Sequence, residues 1–307
     1  MNVIGIDTSN YTTSIAWFDG TRGVNCSRLL PVKPGELGLR QSDAVFAHTK
    51  SLPELSGRLF SDFEAANVGA IGVSTRPRAV DGSYMPCFLV GYSHAKLLSD
   101  LLHVPLIEVS HQQGHIAASV WSAGRMELMD QPHLAWHLSG GTTELLLVEP
   151  EGKNVSCTKI GGTTDISAGQ LIDRTGQLLE LPFPSGKHLD ALSREAALTD
   201  VFRVKCQDSC FSLSGVQNKV QQFFSVHPEP SETAAYALRC VAGAVFTATQ
   251  QALKTYPGLP VVFSGGVASN SMLRQKLAPL NPVFSQPQYS TDNAMGVAVL
   301  AHRISEA

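Results

Sequence analysis

The residues with the most distinctive chemistry begin at a pair of histidines. In PLIEVSHQQGHIAAS, residues 105–109 read as a strand and Ser110 as the N-cap of a helix that carries His111 and His115. The i,i+4 spacing puts both imidazoles on one helical face, the arrangement two nitrogens need to share one metal ion. The same spacing suits a polar helix start in which each ring makes an ordinary surface hydrogen bond. A metal needs a third ligand from elsewhere, and Asp292 in YSTDNAMG is the best-placed candidate. It opens the expected final helix, after a strand-like stretch ending near Phe284, so its carboxylate suits that helix's N-cap equally well, and capping and chelation compete for the same oxygens. Metalloprotease chemistry is not supported: an HExxH helix needs Glu after its first histidine, and residue 112 is Gln.

Turns of Gly, Ser and Thr after strands form a second group. Such turns expose backbone N–H groups that cradle phosphate oxygens, because glycine lets the chain curl closely around an anion. Ser139, Gly140, Gly141 and Thr142 have this chemistry, although a tight hairpin would select the same residues. Asp7-Thr8-Ser9 in the first hairpin and Gly265-Gly266 beside Asn270 are further candidates for a phosphate turn. The last pair lies between a strand and a helix, whose N-terminus adds a positive dipole end.

The elements that must position these residues follow from pattern. Residues 2–18 and 134–148 share one grammar: an apolar run, a polar turn ending in Thr-Thr, and a second apolar run, which predicts a duplicated hairpin. Strands are expected at 68–74, 105–109 and 261–263, and helices at 90–102, 168–179, 233–256 and 271–277. Alternating strands and helices over 307 residues point to two α/β layers, each with a mostly parallel or mixed sheet. The expected division is 1–108 as an N-terminal lobe, 109–290 as a C-terminal lobe with the metal and nucleotide sites, and 291–307 as a terminal helix crossing back. Six scattered cysteines without a CxxC pair argue against a disulfide framework or a thiolate zinc site. No apolar run approaches the roughly 20 residues of a membrane span, and no signal peptide is read, so a cytoplasmic protein is expected. A net charge of −3 supplies no global attraction to nucleic acid.

Taken in order, the motifs resemble the tRNA N6-adenosine threonylcarbamoyltransferase family, formerly described as O-sialoglycoprotein endopeptidases. GIDTSNYTTS, SHQQGH, HLSGGTTEL, TTDISAGQLIDRTGQLLELPFPSGKHLDALS, FSLSGVQNKV, FSGGVASNSMLRQKL and STDNAMG are similar to its motifs along nearly the whole chain. The resemblance implies a two-lobed actin-like or sugar-kinase-like α/β fold with a duplicated mixed sheet and a central ligand cleft. It implies that His111, His115 and Asp292 hold one divalent metal ion, iron or zinc. It implies that Ser139 to Thr142 contact the acyl-phosphate end of an adenylate, and that Asp173, Gly186, Asp190 and Asn270 bind its adenosine. ATP or adenylate is then the ligand, and tRNA the acceptor, reached through the partner subunits of a multi-protein assembly as a homo- or heterodimer. From residue chemistry alone, Asp173 and Asp190 suit ribose hydroxyls or simply solvated helix faces.

The departures cluster near the reaction centre. The family has acidic residues where this chain has Tyr11 and Thr12, a Glu at Gln113, a His at Thr142, and in many members another His at Ser110. Residues 76–86 also lack the family's glycine-rich stretch. A lost carboxylate removes a possible general base, and Gln takes up no proton. A divergent paralogue is therefore an alternative, acting as a carbamoyltransferase or nucleotide hydrolase on another acceptor, or as a non-catalytic nucleotide-binding scaffold.

Overall fold

A computed structural model describes residues 1–9, 11–31, 39–61 and 67–306. The chain forms two compact units, one of Met1–Gln131, Glu149–Cys157 and Gln288–Ala307, the other of Pro132–Val148 and Thr158–Pro287.

The first unit is built on five strands in the order β3-β2-β1-β4-β5. Strands β1 (Asn2–Ser9), β2 (Thr12–Phe18) and β3 (Gly23–Leu29) are antiparallel, and β4 (Val68–Arg76) and β5 (Leu106–Ser110) run parallel to β1. Helices α1 (Gln41–Leu59) and α2 (Phe88–Leu102) supply Leu52, Leu55 and Ala95 to a core with Ile4, Ile6, Ile15, Ile71 and Val73. Helix α3 (His111–Ser122) follows β5 directly, and α9 (Met295–Ser305) packs on α3, β1 and β4.

Successive strand residues point to opposite faces, and β1 turns that rule into function. Ile4 and Ile6 join the α1 and α2 core, and the next residue in that series, Thr8, bonds α2 and the residue before it: its Oγ1 donates to Cys87 O and accepts from Gly91 N. The alternate residues face α9 and α3. Val3 packs with Ala301, Gly5 sits against Ala294 and Ala298, and Asp7 reaches His111. Gly5 is thus a packing residue in the middle of a strand.

The second sheet has strands β6 (His133–Leu138), β7 (Thr143–Glu151), β8 (Asn154–Thr163), β9 (Cys206–Gln207), β10 (Cys210–Phe211), β11 (Val261–Ser264) and β12 (Val283–Phe284), in the order β12-β11-β6-β7-β8-β10-β9; the end of β7 and the start of β8, Glu149–Cys157, belong to the first unit and the rest of the sheet to the second. From β8 through β7, β6 and β11 to β12 this repeats the order of the first sheet. The duplication read from the two hairpins is therefore present at the level of the sheets. Helix α7 (Pro230–Thr255) lays Ala237, Val241 and Val245 on Trp136, Leu145 and Phe263, and α4 (Ala168–Leu178), α5 (Gly186–Ser193), α6 (Ser214–Val226) and α8 (Ser271–Leu277) complete the layer. Among the described residues no helix is long and apolar enough to cross a membrane.

The division differs from the expected 1–108 and 109–290. Residues 109–131 belong to the first unit, because α3 is the helix that closes its sheet against α9. Glycine makes that crossing possible: a Cβ on Gly296 would lie 1.8 Å from the carbonyl oxygen of Gly114. Gly296→Ala is expected to destabilise the protein by about 3 kcal/mol, because overpacking against rigid backbone has no flexible side chain to yield. Chemical denaturation measures it, and a loss below about 0.5 kcal/mol would contradict the contact.

Candidate functional site

The start of α3 is fixed by a reciprocal cap. Ser110 Oγ accepts from Gln113 N at 3.2 Å, and Gln113 Oε1 accepts from Ser110 N at 2.9 Å. Such caps contribute about 1 kcal/mol and set where the helix begins. With the first turn so placed, His111 and His115 lie one above the other, ring centroids 4.3 Å apart.

Asp292 comes from the segment before α9. It does not cap that helix, which begins three residues later than expected; instead Asn293 Oδ1 accepts from Gly296 N at 3.4 Å. The segment is anchored on both sides. Tyr289 packs edge-on to Trp121 of α3, and Ala294 N donates to Ser14 Oγ at 2.8 Å and to Asn25 Oδ1 at 3.0 Å. The Asp292 carboxylate is left facing the histidines.

Three candidate ligand atoms converge there. His111 Nε2 and His115 Nε2 are 2.9 Å apart, and Asp292 Oδ1 lies 3.2 Å from the latter and 3.5 Å from the former. A point about 1 Å off the plane of that triangle is about 2.1 Å from all three atoms, the distance of nitrogen and oxygen ligands from a first-row divalent ion. The chemistry of the donors and their spacing therefore fit such an ion. Thr12 Oγ1, 3.4 Å from Asp292 Oδ2, borders the same group.

The electrostatics are those of a charge-dense pocket. Burial disfavours a charged His111, but the Asp7 carboxylate outweighs it, with help from Asp292, and holds the imidazole up to about 10. Burial likewise opposes charge on Asp292 and on Asp7, yet His111 and His115 hold Asp292 well below the usual carboxylate range, and His111 holds Asp7 low.

Of the residues expected to form a first phosphate turn, Asp7, Thr8 and Ser9 all lie in strand β1 and are buried. Asp7 accepts from His111, Thr8 is bonded to Cys87 and Gly91, and Ser9 Oγ has no partner among the described residues. Their place in the strand contradicts a turn, and the carboxylate at position 7 belongs to the histidine site.

In the second unit Ser139 to Thr142 do form a turn, between β6 and β7. Ser139 N donates to Thr142 O at 2.8 Å and Thr142 N to Ser139 Oγ at 3.1 Å. The turn leans on the N-terminus of α4. Ser167 Oγ donates to Gly140 O at 2.5 Å, and a Cβ on Gly169 would lie 2.5 Å from Gly140 Cα. Gly265, at φ +90°, packs against the Leu138 carbonyl, so the turn opened by Gly265 and Gly266 borders the first one. Gly140, Gly141 and Gly266 have open space where a side chain would be.

Asp173, Gly186, Asp190 and Asn270 are brought into one chain of contacts. Asp173 Oδ1 accepts from Ser185 N at 2.9 Å, immediately before Gly186 opens α5. Asp190 Oδ1 accepts from Asn270 Nδ2 at 2.8 Å and from Ser271 N at 2.8 Å, while Asn270 Oδ1 caps α8 through Leu273 N. Asp190 is thus not a solvated helix face. It ties α5 to the start of α8.

The departure at residue 113 has a structural answer. Gln113 is buried, and besides capping α3 its Nε2 donates to Val155 O at 2.7 Å. A carboxylate would keep the cap but meet that carbonyl with no proton to offer, so an amide is the side chain that satisfies both ends. Gln113→Glu is expected to cost about 2 kcal/mol, the penalty of an unmatched buried polar contact. Thermal unfolding of the two proteins measures it, and equal stability at pH 8 would refute this role.

The chain superposes on full-length HypF in the phosphate- and nucleotide-bound form with a TM-score of 0.61 at 14% identity, covering 99% of this chain and 55% of that one. It also matches the ROK hexokinase of Thermus thermophilus, with a TM-score of 0.56 at 14% identity over the whole of both chains. These likenesses define the class as an actin-like and sugar-kinase-like α/β fold. Residues 38–299 match the family model TsaD, tRNA N6-adenosine threonylcarbamoyltransferase. The relative of that name from Carboxydothermus hydrogenoformans is 31% identical over 98% of this chain and 91% of its own length. The one from Geobacillus thermodenitrificans is 33% identical over 76% and 69%. The chain belongs to the tRNA N6-adenosine threonylcarbamoyltransferase family, a family of transferases.

Proposed function

We propose that this chain transfers a threonylcarbamoyl group from threonylcarbamoyl-adenylate to the N6 amine of the tRNA adenosine beside the anticodon. Family membership along nearly the whole chain carries this reading, together with the convergent His111, His115 and Asp292. In the reaction the amine nitrogen bonds to the carbamoyl carbon, the bond from that carbon to the phosphate oxygen breaks, AMP leaves, and the amine gives up a proton.

His111, His115 and Asp292 would hold one divalent ion, iron or zinc, since a nitrogen and oxygen donor set suits both. Such an ion supplies Lewis-acid polarisation and a fixed point of orientation for the acyl donor. Gly140 and Gly141 would receive the phosphate, in a turn held against the positive end of α4 and open above. Asp173, Gly186, Asp190 and Asn270 would surround the adenosine. Asp190 and Asn270 do so as a bonded pair, which leaves fewer free acceptors for the ribose than two independent side chains would. A chain of net charge −3 gains from partner subunits with basic surfaces to bring tRNA to it, in a multi-protein assembly in the cytoplasm. The paralogue reading loses one of its supports with Gln113, whose amide is engaged in capping α3 and bonding Val155.

Purified protein with tRNA, threonine, bicarbonate, ATP and the partner proteins of the pathway is expected to yield the modified nucleoside, detected by mass spectrometry after digestion. No product, beside a working homologue in the same mixture, would refute the proposal. His111→Ala and His115→Ala are each expected to lose stoichiometric metal, measured by elemental analysis of purified protein, and at least about 100-fold in rate. A proton also stands between His111 and an ion. Because its pKa is held up to about 10, binding at pH 7.5 must displace that proton, so apparent affinity should rise about 10-fold per pH unit up to about pH 9. Titration calorimetry in buffers of different ionisation enthalpy counts the protons released, and a count of zero would contradict the assignment.

A further inference from the structure

Asp7 is the buried group whose partner matters most and whose role the turn reading missed. It is 1% exposed, on the face of β1 that looks toward α3, and both its oxygens act as acceptors. Oδ1 takes the backbone N–H of Ser9 at 2.9 Å, and Oδ2 lies 2.8 Å from His111 Nδ1. The Ser9 amide can only donate. A carboxylate on Nδ1 holds a proton there, so that when the ring gives up its other proton Nε2 is left with the lone pair, and Nε2 is the atom that faces His115 and Asp292.

We propose that Asp7 is a positioning residue that fixes the ring orientation and tautomer of His111, so that Nε2 is the ligating nitrogen of the metal centre. This rests on the metal reading above and deepens it. Carboxylate partners of this kind hold a metal-binding imidazole in place and raise its basicity. The geometry also sets apart two substitutions that a purely structural role would rank the other way. In Asp7→Asn, nearly isosteric, the amide oxygen must stay with the Ser9 N–H, which turns the NH₂ toward Nδ1. That nitrogen must then accept, the ring proton moves to Nε2, and the ligating position is blocked. Asp7→Ser is smaller, yet its hydroxyl can accept from Nδ1 directly or through a water, so it leaves the ring in the right tautomer.

Zinc is the probe. Wild type, Asp7→Asn, Asp7→Ser and His115→Ala are titrated with Zn²⁺ against a chromogenic chelator, and their metal-free unfolding is measured alongside. Asp7→Asn is expected to bind zinc at least about 10-fold more weakly than wild type, and more weakly than Asp7→Ser, although the asparagine protein is the better packed of the two. In wild-type protein with ¹⁵N-labelled histidine and bound zinc, NMR should show the His111 proton on Nδ1 and zinc on Nε2. Zinc affinity of Asp7→Asn equal to wild type, or a His111 that ligates through Nδ1, overturns the inference while leaving the metal reading intact. Equal zinc binding by wild type and His115→Ala would instead remove the metal reading, and this inference with it. The NMR measurement needs no variant, so a misfolded substitution does not shield the proposal.

Discussion

Everything about the histidine site depends on how closely α3 and α9 approach. The backbone of Gly296 lies so near Gly114 that no side chain fits between them, and this contact sets the distance from the His111 and His115 face of one helix to the segment that leads into the other. Around it are arranged the cap at Ser110, the Trp121 and Tyr289 rings, and the hydrogen bonds that hold Ala294 to the first sheet. Each fixes one end of a segment carrying one of the three converging atoms. None would serve if the helices stood a methyl group further apart, because the three atoms converge within a few ångströms.

The site gathers two negative charges around one ring. Asp7, which is buried, and Asp292, which is partly exposed, flank His111 on its two nitrogens, and carboxylates so placed call for positive charge nearby. Protons on imidazole supply part of it in the metal-free protein. A divalent ion would supply all of it while leaving both rings neutral. The choice of a carboxylate at position 7, where an amide would pack as well, follows from this balance as much as from hydrogen bonding.

Local features of the sequence were legible and tertiary ones were not. The i,i+4 histidines on one helix face, the Ser110 cap and the turn between β6 and β7 depend on neighbours within a few residues, and the local geometry expected of each is present. Asp292 could be nominated from its segment but not separated from an N-cap, because the start of α9 is decided by bonds to Ser14 and Asn25, far away in sequence. Asp7 looked like part of a phosphate turn because GIDTSN has turn-forming residues, and only its place on one face of a strand, with α3 over it, shows otherwise. Gln113 looked like a missing base for a similar reason: its partner Val155 lies in β8, 42 positions along the chain. The boundary near residue 108 failed because the helix after β5 could have closed either unit, and the glycine crossing that decides the matter joins positions far apart in the chain.

That Asp292 lies in the segment leading into the last helix has a consequence for how the protein comes into being. His115 and Asp292 are 177 positions apart, and at ordinary rates of synthesis about 10 to 35 s separate their emergence from the ribosome. Throughout that interval the histidine helix has neither Asp292 nor the helix that seats it. An ion captured early would be held by two imidazoles on an unsupported helix and would exchange freely. Tight loading would therefore be delayed until the first unit has recovered its final helix, so that a chain interrupted before that point would not carry a stable metal centre.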